Sequence, residues 1–472
     1  MKRIFSSDFP IITFIIFISV ILFFFRLGNT ALTNWDEAWF GSVAQDMAKS
    51  GSILAGKWNG QIFFYEPPLL VWLLTLTIRI FGESEFWLRS VSAISGVFTV
   101  IGCYVLAKKI AKSRLAGLLT SLIILSDIEI LFRSRQINVE ILLTVLLLWS
   151  VIFMVKADEE NKYRWIISSA ICLSLAFLTK RASPLLAVPA IGYLLLKTKP
   201  VLRNFFIFFI TFIIFTLPWY LLSYLKWGGQ FINEFFIGYT LNKIKSVNAS
   251  IGTSPFFYLN SIKHAFKFWT LLIPLAAVWG AIKSFRNRNI AGLSIFVLTF
   301  LTFLTLAPIK SSWFLLPIHP IIAVIAGLFI NNIYKKYKPS CPFLYFFVLF
   351  FTFSLSIFQL IHYRHDYIVP DTTNNQAAIS RLAGAMADKG QAIYLDDEYL
   401  PVAVFYSRKK VIPLRFSRTA NPVPSLTNIP EGSVILTNAE TFPVLKSATG
   451  ILFEELFSAG GLFLIRAKGI RA

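Results

Sequence analysis

The chain has 472 residues, of which 56% are hydrophobic and only 15% charged, and 48 are phenylalanine. A soluble core cannot absorb that much apolar residue, and the apolar runs are long enough to span a bilayer, so the composition defines a polytopic α-helical membrane protein. The net charge of +21 does not argue for nucleic acid, because membrane proteins concentrate Lys and Arg in cytoplasmic loops and no nucleic-acid-binding motif is present.

The first apolar run, residues 9–27, follows Lys2 and Arg3 and lacks a small-residue cleavage site, which predicts a retained signal anchor. Next comes "NWDEAWFGSVAQDM" (34–47). Apolar residues at Phe40, Val43, Ala44 and Met47 predict an amphipathic helix lying in the interface, with Asp36 and Glu37 at its start. Glu66 then precedes "PPLLVWLLTLTIRIFG" (67–82), a segment that is short for a span and opens with two prolines. Further spans are expected near 89–107, 115–132, 139–155, 165–179, 183–196, 204–225, 266–282, 291–308, 313–333 and 342–362, which makes roughly eleven, or about 11–13 transmembrane helices in all. The short pair 165–179 and 183–196 also suits a single re-entrant unit. The chain contains no internal repeat of the inverted-repeat transporter kind.

Charge decides the topology. With the N-terminus inside and 67–82 lying along the outer surface, "KKIAKSR", "KADEENKYR", "KTKPVLR", "KSFRNR" and "KKYK" all fall in the cytoplasm. Counting 67–82 as a span puts most of those clusters outside. The extracytoplasmic parts are then 28–88, 226–265 and everything after about 364. A membrane domain (1–363) is thus expected to be followed by a small α/β domain (364–472). Its helix is expected in "TTNNQAAISRLAGAMADKG", its strands in "QAIYLDD", "KKVIPLRF", "SVILTN" and "GLFLIRA", and further helices at 398–407 and 439–447. Cys103, Cys172 and Cys341 show neither metal nor redox spacing.

Some basic residues fall on the wrong side in this topology. Arg133 and Arg135, Lys180 and Arg181, and Lys310 all sit in short outer turns at the membrane edge. One such turn is explained by snorkelling. Three on one face suit an anionic lipid headgroup, phosphate or pyrophosphate. Asp36 and Glu37 lie on the same side. A helix-dipole role explains acids at that position equally well. A carboxylate beside a lipid-phosphate site can also take the proton of an acceptor hydroxyl as it attacks a sugar carbon, while the cations stabilise the departing phosphate. Direct displacement inverts the anomeric centre. Glu66 reads as a solvated loop acid or, with Asp36, as a ligand of a divalent metal, although no ligand set is diagnostic. His319 in "LPIHPII" reads as a packed or hydrogen-bonded histidine, and His264 is an outer-loop candidate. "YLDDEYL" (394–400) reads as a helix cap, and "NAS" (248–250) is a sequon by pattern alone. A transporter or flippase of a lipid-linked anion would use the same basic turns. It would need neither the outer carboxylates nor a folded exported domain.

The ordered motifs resemble the GT-C membrane glycosyltransferases, in particular the bacterial branch containing the lipid A aminoarabinose transferases and the protein O-mannosyltransferase-like proteins. They are "DEAWFGSVAQDMAKSG", "PPLLVWLL", "FGESEFWLRSVSAISG" with Arg89, "LTKR" at Leu178–Arg181 and "KSSWFLLPIHPIIA" at Lys310–Ala323. The resemblance covers about residues 30–325. It implies a GT-C fold of the inner membrane and a polyprenyl-phosphate-linked sugar donor. It also implies a lipid, glycan or protein acceptor at the outer face, catalysis by Asp36, and phosphate contacts from Lys180 and Lys310, with Arg89 added by the third motif. In this sequence Glu66 replaces the usual Lys before the prolines, Trp39 the usual Arg, and Arg181 the usual Gly.

Overall fold

The computed structural model describes residues 2–160, 162–238, 254, 256–337, 343–368, 373–395, 400–414, 429–449 and 451–470. Cys341, the 248–250 sequon and the acids Asp396, Asp397 and Glu398 lie outside those residues. The chain forms two compact units, one of Met1–Arg26, Phe64–Leu70 and Arg89–Ile368, the other of Leu27–Phe63, Val71–Leu88 and Val369–Ala472.

Every segment expected to span is helical, and the chain is a multi-pass membrane protein. Among the described residues, six helices are long and apolar enough to cross a membrane: Glu85–Ala111, Val139–Glu160, Val201–Trp227, Arg288–Leu306, Ser312–Tyr337 and Leu344–His362. Two bent pairs, Arg114–Leu125 with Ile128–Ser134 (69°) and Phe257–Leu271 with Ile273–Ser284 (87°), raise the number to 8 if each is one span. Asp8–Phe24, Leu69–Phe81, Tyr163–Phe177 and Ser183–Leu195 are shorter apolar helices.

In the first unit, polar side chains join helices whose apolar faces give little mutual preference in lipid. Ser150 Oγ donates to the Ser169 carbonyl at 3.0 Å, and Ser169 Oγ returns a bond to the Ser150 carbonyl at 2.9 Å. The 69° bend is equally specific. At Asp127 the helix breaks, and the Asp127 carboxylate takes the backbone N–H of Ile130 at 2.9 Å, so capping the short helix Ile128–Ser134. The Ser126 carbonyl is taken instead by Gln359 Nε2 at 2.6 Å, and the Ser126 hydroxyl by Trp269 Nε1 at 2.9 Å. His319, 1% exposed, brings Nδ1 to 2.9 Å from Asp127 Oδ2, which makes it a hydrogen-bonded core histidine. A break inside the bundle is tolerated where freed polar groups such as the Ser126 carbonyl find partners.

The second unit contains the helix Asp36–Ser50, a hairpin of β1 (Lys57–Trp58) and β2 (Gln61–Ile62), and a five-stranded sheet. That sheet has β3 (Ile393–Leu395), β4 (Val411–Pro413), β5 (Val434–Asn438), β6 (Ile451–Ala459) and β7 (Leu462–Ile470) in the order β4-β3-β5-β7-β6. β3 pairs parallel with β4 and β5; β7 pairs antiparallel with β5 and β6. β5 is central, so both its faces are covered. Val434 and Leu436 pack with Ile379, Ala383 and Ala403, whereas Ile435 packs with Leu445, Ile451 and Ile465. Each such side chain contributes roughly 1.5–3 kcal/mol. The helices Asn374–Met386, Leu400–Ser407 and Thr441–Thr449 match their expected places.

Candidate functional site

In the first unit the expected cations have separated by role. The capped helix Ile128–Ser134 ends at Arg133, whose Nε is 2.9 Å from the Glu129 carboxylate one turn earlier. Its guanidinium lies over the Trp313 ring at 4.9 Å. Lys180 follows the end of the helix Tyr163–Phe177 and pairs with the buried Glu140. Its ammonium stands over the adjacent ring, Phe314, at 4.7 Å. Glu140 is placed by Asn138, whose Oδ1 accepts the N–H groups of Glu140 (2.9 Å) and Ile141 (3.2 Å) and so caps the helix Val139–Glu160. An acid in a first turn is also favoured by the helix dipole.

Trp313 and Phe314 follow Lys310 within one short segment. Neighbouring rings thus bring Arg133 and Lys180 to the strand of chain that carries Lys310. Lys310 is half-buried and has no hydrogen bond or ion pair among the described residues. Arg181, next to Lys180, donates to the backbone carbonyls of Tyr65 and Phe235, lies over the Phe235 ring at 4.8 Å, and has Nε 3.9 Å from Glu66. Glu66 is buried, at 7% exposure, and faces a guanidinium. Among the described residues no three His, Cys, Asp or Glu are grouped to hold a metal ion.

Arg135 and Arg89 are situated differently. Arg135 closes the first helix: its Nη1 donates to the Leu22 carbonyl at 2.7 Å and Nη2 to that of Phe25 at 2.9 Å. These are carbonyls a helix C-terminus leaves unpaired, and a cation suits them. Arg89 is fully buried, 0% exposed, within the helix Glu85–Ala111. His264 is exposed and lies 3.3 Å from Lys267 Nζ.

In the second unit Asp36 and Glu37 are the first two residues of their helix. Glu37 is 2% exposed and turns back to Thr33, accepting its N–H at 2.8 Å and its hydroxyl at 2.9 Å. Both bonds end on one Glu37 oxygen and tie the chain before the helix to its first turn. Asp36 is exposed. It follows Trp35, which holds φ +63° and ψ −114°, a backbone state side-chain-bearing residues seldom adopt. Trp39 packs edge-on against Trp58 (5.5 Å) and Phe63 (5.3 Å) and so ties the helix to the hairpin.

The residues missed in the sequence are partners rather than principals. Glu129 was signalled by its i,i+4 spacing to Arg133. Glu140, Trp313 and Phe314 had no such signal, since the contacts of all three come from distant chain segments.

The helical fold and the small sheet are shared with solved membrane-protein structures. A family model for dolichyl-phosphate-mannose-protein mannosyltransferases matches residues 65–222, a stretch containing Glu66, Arg133, Lys180 and Arg181. An uncharacterised protein of Aquifex aeolicus is 28% identical over 357 residues, 72% of this chain and 70% of that protein. The undecaprenyl phosphate-alpha-4-amino-4-deoxy-L-arabinose arabinosyl transferase of Pseudomonas savastanoi pv. phaseolicola is 25% identical over 65% of this chain and 59% of its own length, less than two thirds of that relative. Among solved structures, ArnT from Cupriavidus metallidurans bound to undecaprenyl phosphate superposes with a TM-score of 0.78 at 15% identity, covering 97% of this chain and 98% of that one.

Proposed function

We propose that this chain transfers a sugar from an undecaprenyl-phosphate-type donor to an acceptor hydroxyl at the outer face of a bacterial cytoplasmic membrane. It is a glycosyltransferase that uses a lipid-linked donor. The observation that carries the phosphate assignment is the segment Lys310–Phe314. Two of its rings hold Arg133 and Lys180, and its own cation has no counter-ion among the described residues. Fixed cations in a poorly solvated site stabilise charge that develops on a departing phosphate. Lys310 is the leading contact in this reading, with Lys180, Arg181 and Arg133 around it. Arg135, expected as a further phosphate contact, is engaged by the Leu22 and Phe25 carbonyls, and Arg89 is fully buried.

Chemically, the acceptor oxygen forms a bond to the anomeric carbon while the bond from that carbon to the phosphate oxygen breaks. The electron pair leaves with the lipid phosphate, and the acceptor proton passes to Asp36. The anomeric centre inverts. Glu37 holds the helix start on which Asp36 stands. The acceptor is lipid A or another envelope glycan, lipid or protein. Functionally the chain divides into a membrane domain, 1–363, including the first outer loop, and an extracytoplasmic α/β domain, 364–472. The positive-inside pattern supports that orientation.

Vesicles containing the purified protein and an undecaprenyl-phosphate-linked radiolabelled sugar test the class. Label should move covalently to an acceptor in envelope extract, with undecaprenyl phosphate released. Label that crosses the bilayer still attached to its carrier, with no transfer, would overturn the reading in favour of a flippase.

A further inference from the structure

The segment before Asp36 is held by the C-terminal part of the chain, far away in sequence but within the same compact unit. Four of its polar groups are involved. The Ala31 N–H donates to Asn374 Oδ1 at 2.7 Å, and the Leu32 N–H donates to the Tyr406 phenol oxygen at 2.7 Å. The Leu32 carbonyl accepts from Thr373 Oγ1 at 3.0 Å. The Asn34 amide donates to Gln376 Oε1 and accepts from the Val402 N–H, both at 3.3 Å.

Tyr406 is the centre of this clasp. While accepting from Leu32, it donates to Glu85 Oε1 at 2.9 Å, and Arg381 reaches the same carboxylate at 2.9 Å while covering the Tyr406 ring at 4.3 Å. Burial, reinforced by the Glu85 charge, pushes the phenol well above the usual tyrosine range, so it remains a proton donor. On the other side of Asp36, the helix Asp36–Ser50 is held by the same element. A Cβ at Gly41 would come within 2.9 Å of the Phe405 ring, and Gln45 Nε2 donates to the Phe405 carbonyl at 3.3 Å. Between the two anchored stretches, Trp35 keeps its unfavourable φ of +63°. Such a backbone state persists where the surroundings over-determine it.

We propose that the C-terminal segment positions the general base. By clasping residues 31–34 and the first turns of the following helix, it fixes the Asp36 carboxylate, with Tyr406 and Asn34 as the positioning residues. Reaction rates depend steeply on such placement. The inference rests on Asp36 being the base.

The test uses the full chain in vesicles and compares Tyr406→Phe, Asn34→Ala, Asp36→Asn and, as a control on an exposed ion pair of the sheet, Lys468→Ala. Tyr406→Phe and Asn34→Ala should each lower kcat about tenfold, as expected for a misplaced catalytic group. The donor KM should not change, and neither should Lys468→Ala activity. Combined with Asp36→Asn, Tyr406→Phe should cost nothing further, because the group it positions is already gone. Asn34→Ala keeps the test valid if Tyr406→Phe folds poorly. Full kcat in both clasp variants alongside an inactive Asp36→Asn overturns the positioning role and leaves the base assignment standing. Independent losses that multiply in the double variant overturn it too. An active Asp36→Asn removes the base assignment itself.

Discussion

Charge is held in opposite ways in the two units. In the first unit the cations come with carboxylates and aromatic faces: Arg133 with Glu129 and Trp313, Lys180 with Glu140 and Phe314, Arg181 with Glu66 and Phe235. At the start of the helix Asp36–Ser50, two adjacent carboxylates divide the work. Glu37 is buried against its own chain, and Asp36 is exposed. Burying a cation near lipid is costly without a counter-ion, and Arg133, Lys180 and Arg181 each have a carboxylate at hand. An acid at a helix start already has the dipole and the backbone N–H groups, so only one of the pair is needed there for structure. Neighbours of the same residue type therefore differ in use. Arg135 closes a helix through the Leu22 and Phe25 carbonyls, whereas Arg133, two residues earlier, pairs with Glu129.

This contrast can be broken most severely at the buried pair. Lys180→Ala leaves Glu140 with an uncompensated charge and should lower stability by about 3–5 kcal/mol, read from thermal unfolding in detergent. Replacing both partners, Lys180→Met with Glu140→Leu, should restore most of that stability while transfer stays low. Restored transfer would make the pair purely structural. A smaller effect is expected at Lys310. Lys310→Ala should leave the melting temperature essentially unchanged and weaken undecaprenyl phosphate binding by about 1.5–3 kcal/mol, the worth of one charged hydrogen bond. Isothermal titration into protein-containing nanodiscs measures it. An unchanged affinity would move the phosphate away from the Lys310–Phe314 segment.

Much of this was legible in the sequence because lipid imposes simple rules. Each of the apolar segments became a helix. Arg133, Arg135, Lys180, Arg181 and Lys310 stood out as charge in short turns between apolar segments. Their different partners did not stand out, because Arg133 pairs with Glu129 one turn away whereas the carbonyls that Arg135 meets lie more than a hundred residues away. In the C-terminal part the run "SVILTN" read as a strand, as β5 is, but β6 was missed. It is an edge strand with register shifts between Ile451 and Phe453 and between Glu455 and Phe457, so its side chains do not alternate cleanly between buried and exposed. The clasp on residues 31–34 had no local signature, since each of its bonds joins residues over 300 positions apart.

The central claim is most directly tested by the transfer rate of Asp36→Asn set beside that of Glu37→Gln, with undecaprenyl phosphate binding measured on the same preparations. Asp36→Asn should slow transfer by about 10²–10⁴-fold, the usual worth of a general base, with binding of the lipid phosphate unchanged. Glu37→Gln should retain activity within about tenfold, its loss being that of a helix-start hydrogen bond worth about 1 kcal/mol. Wild-type transfer by Asp36→Asn would contradict the account.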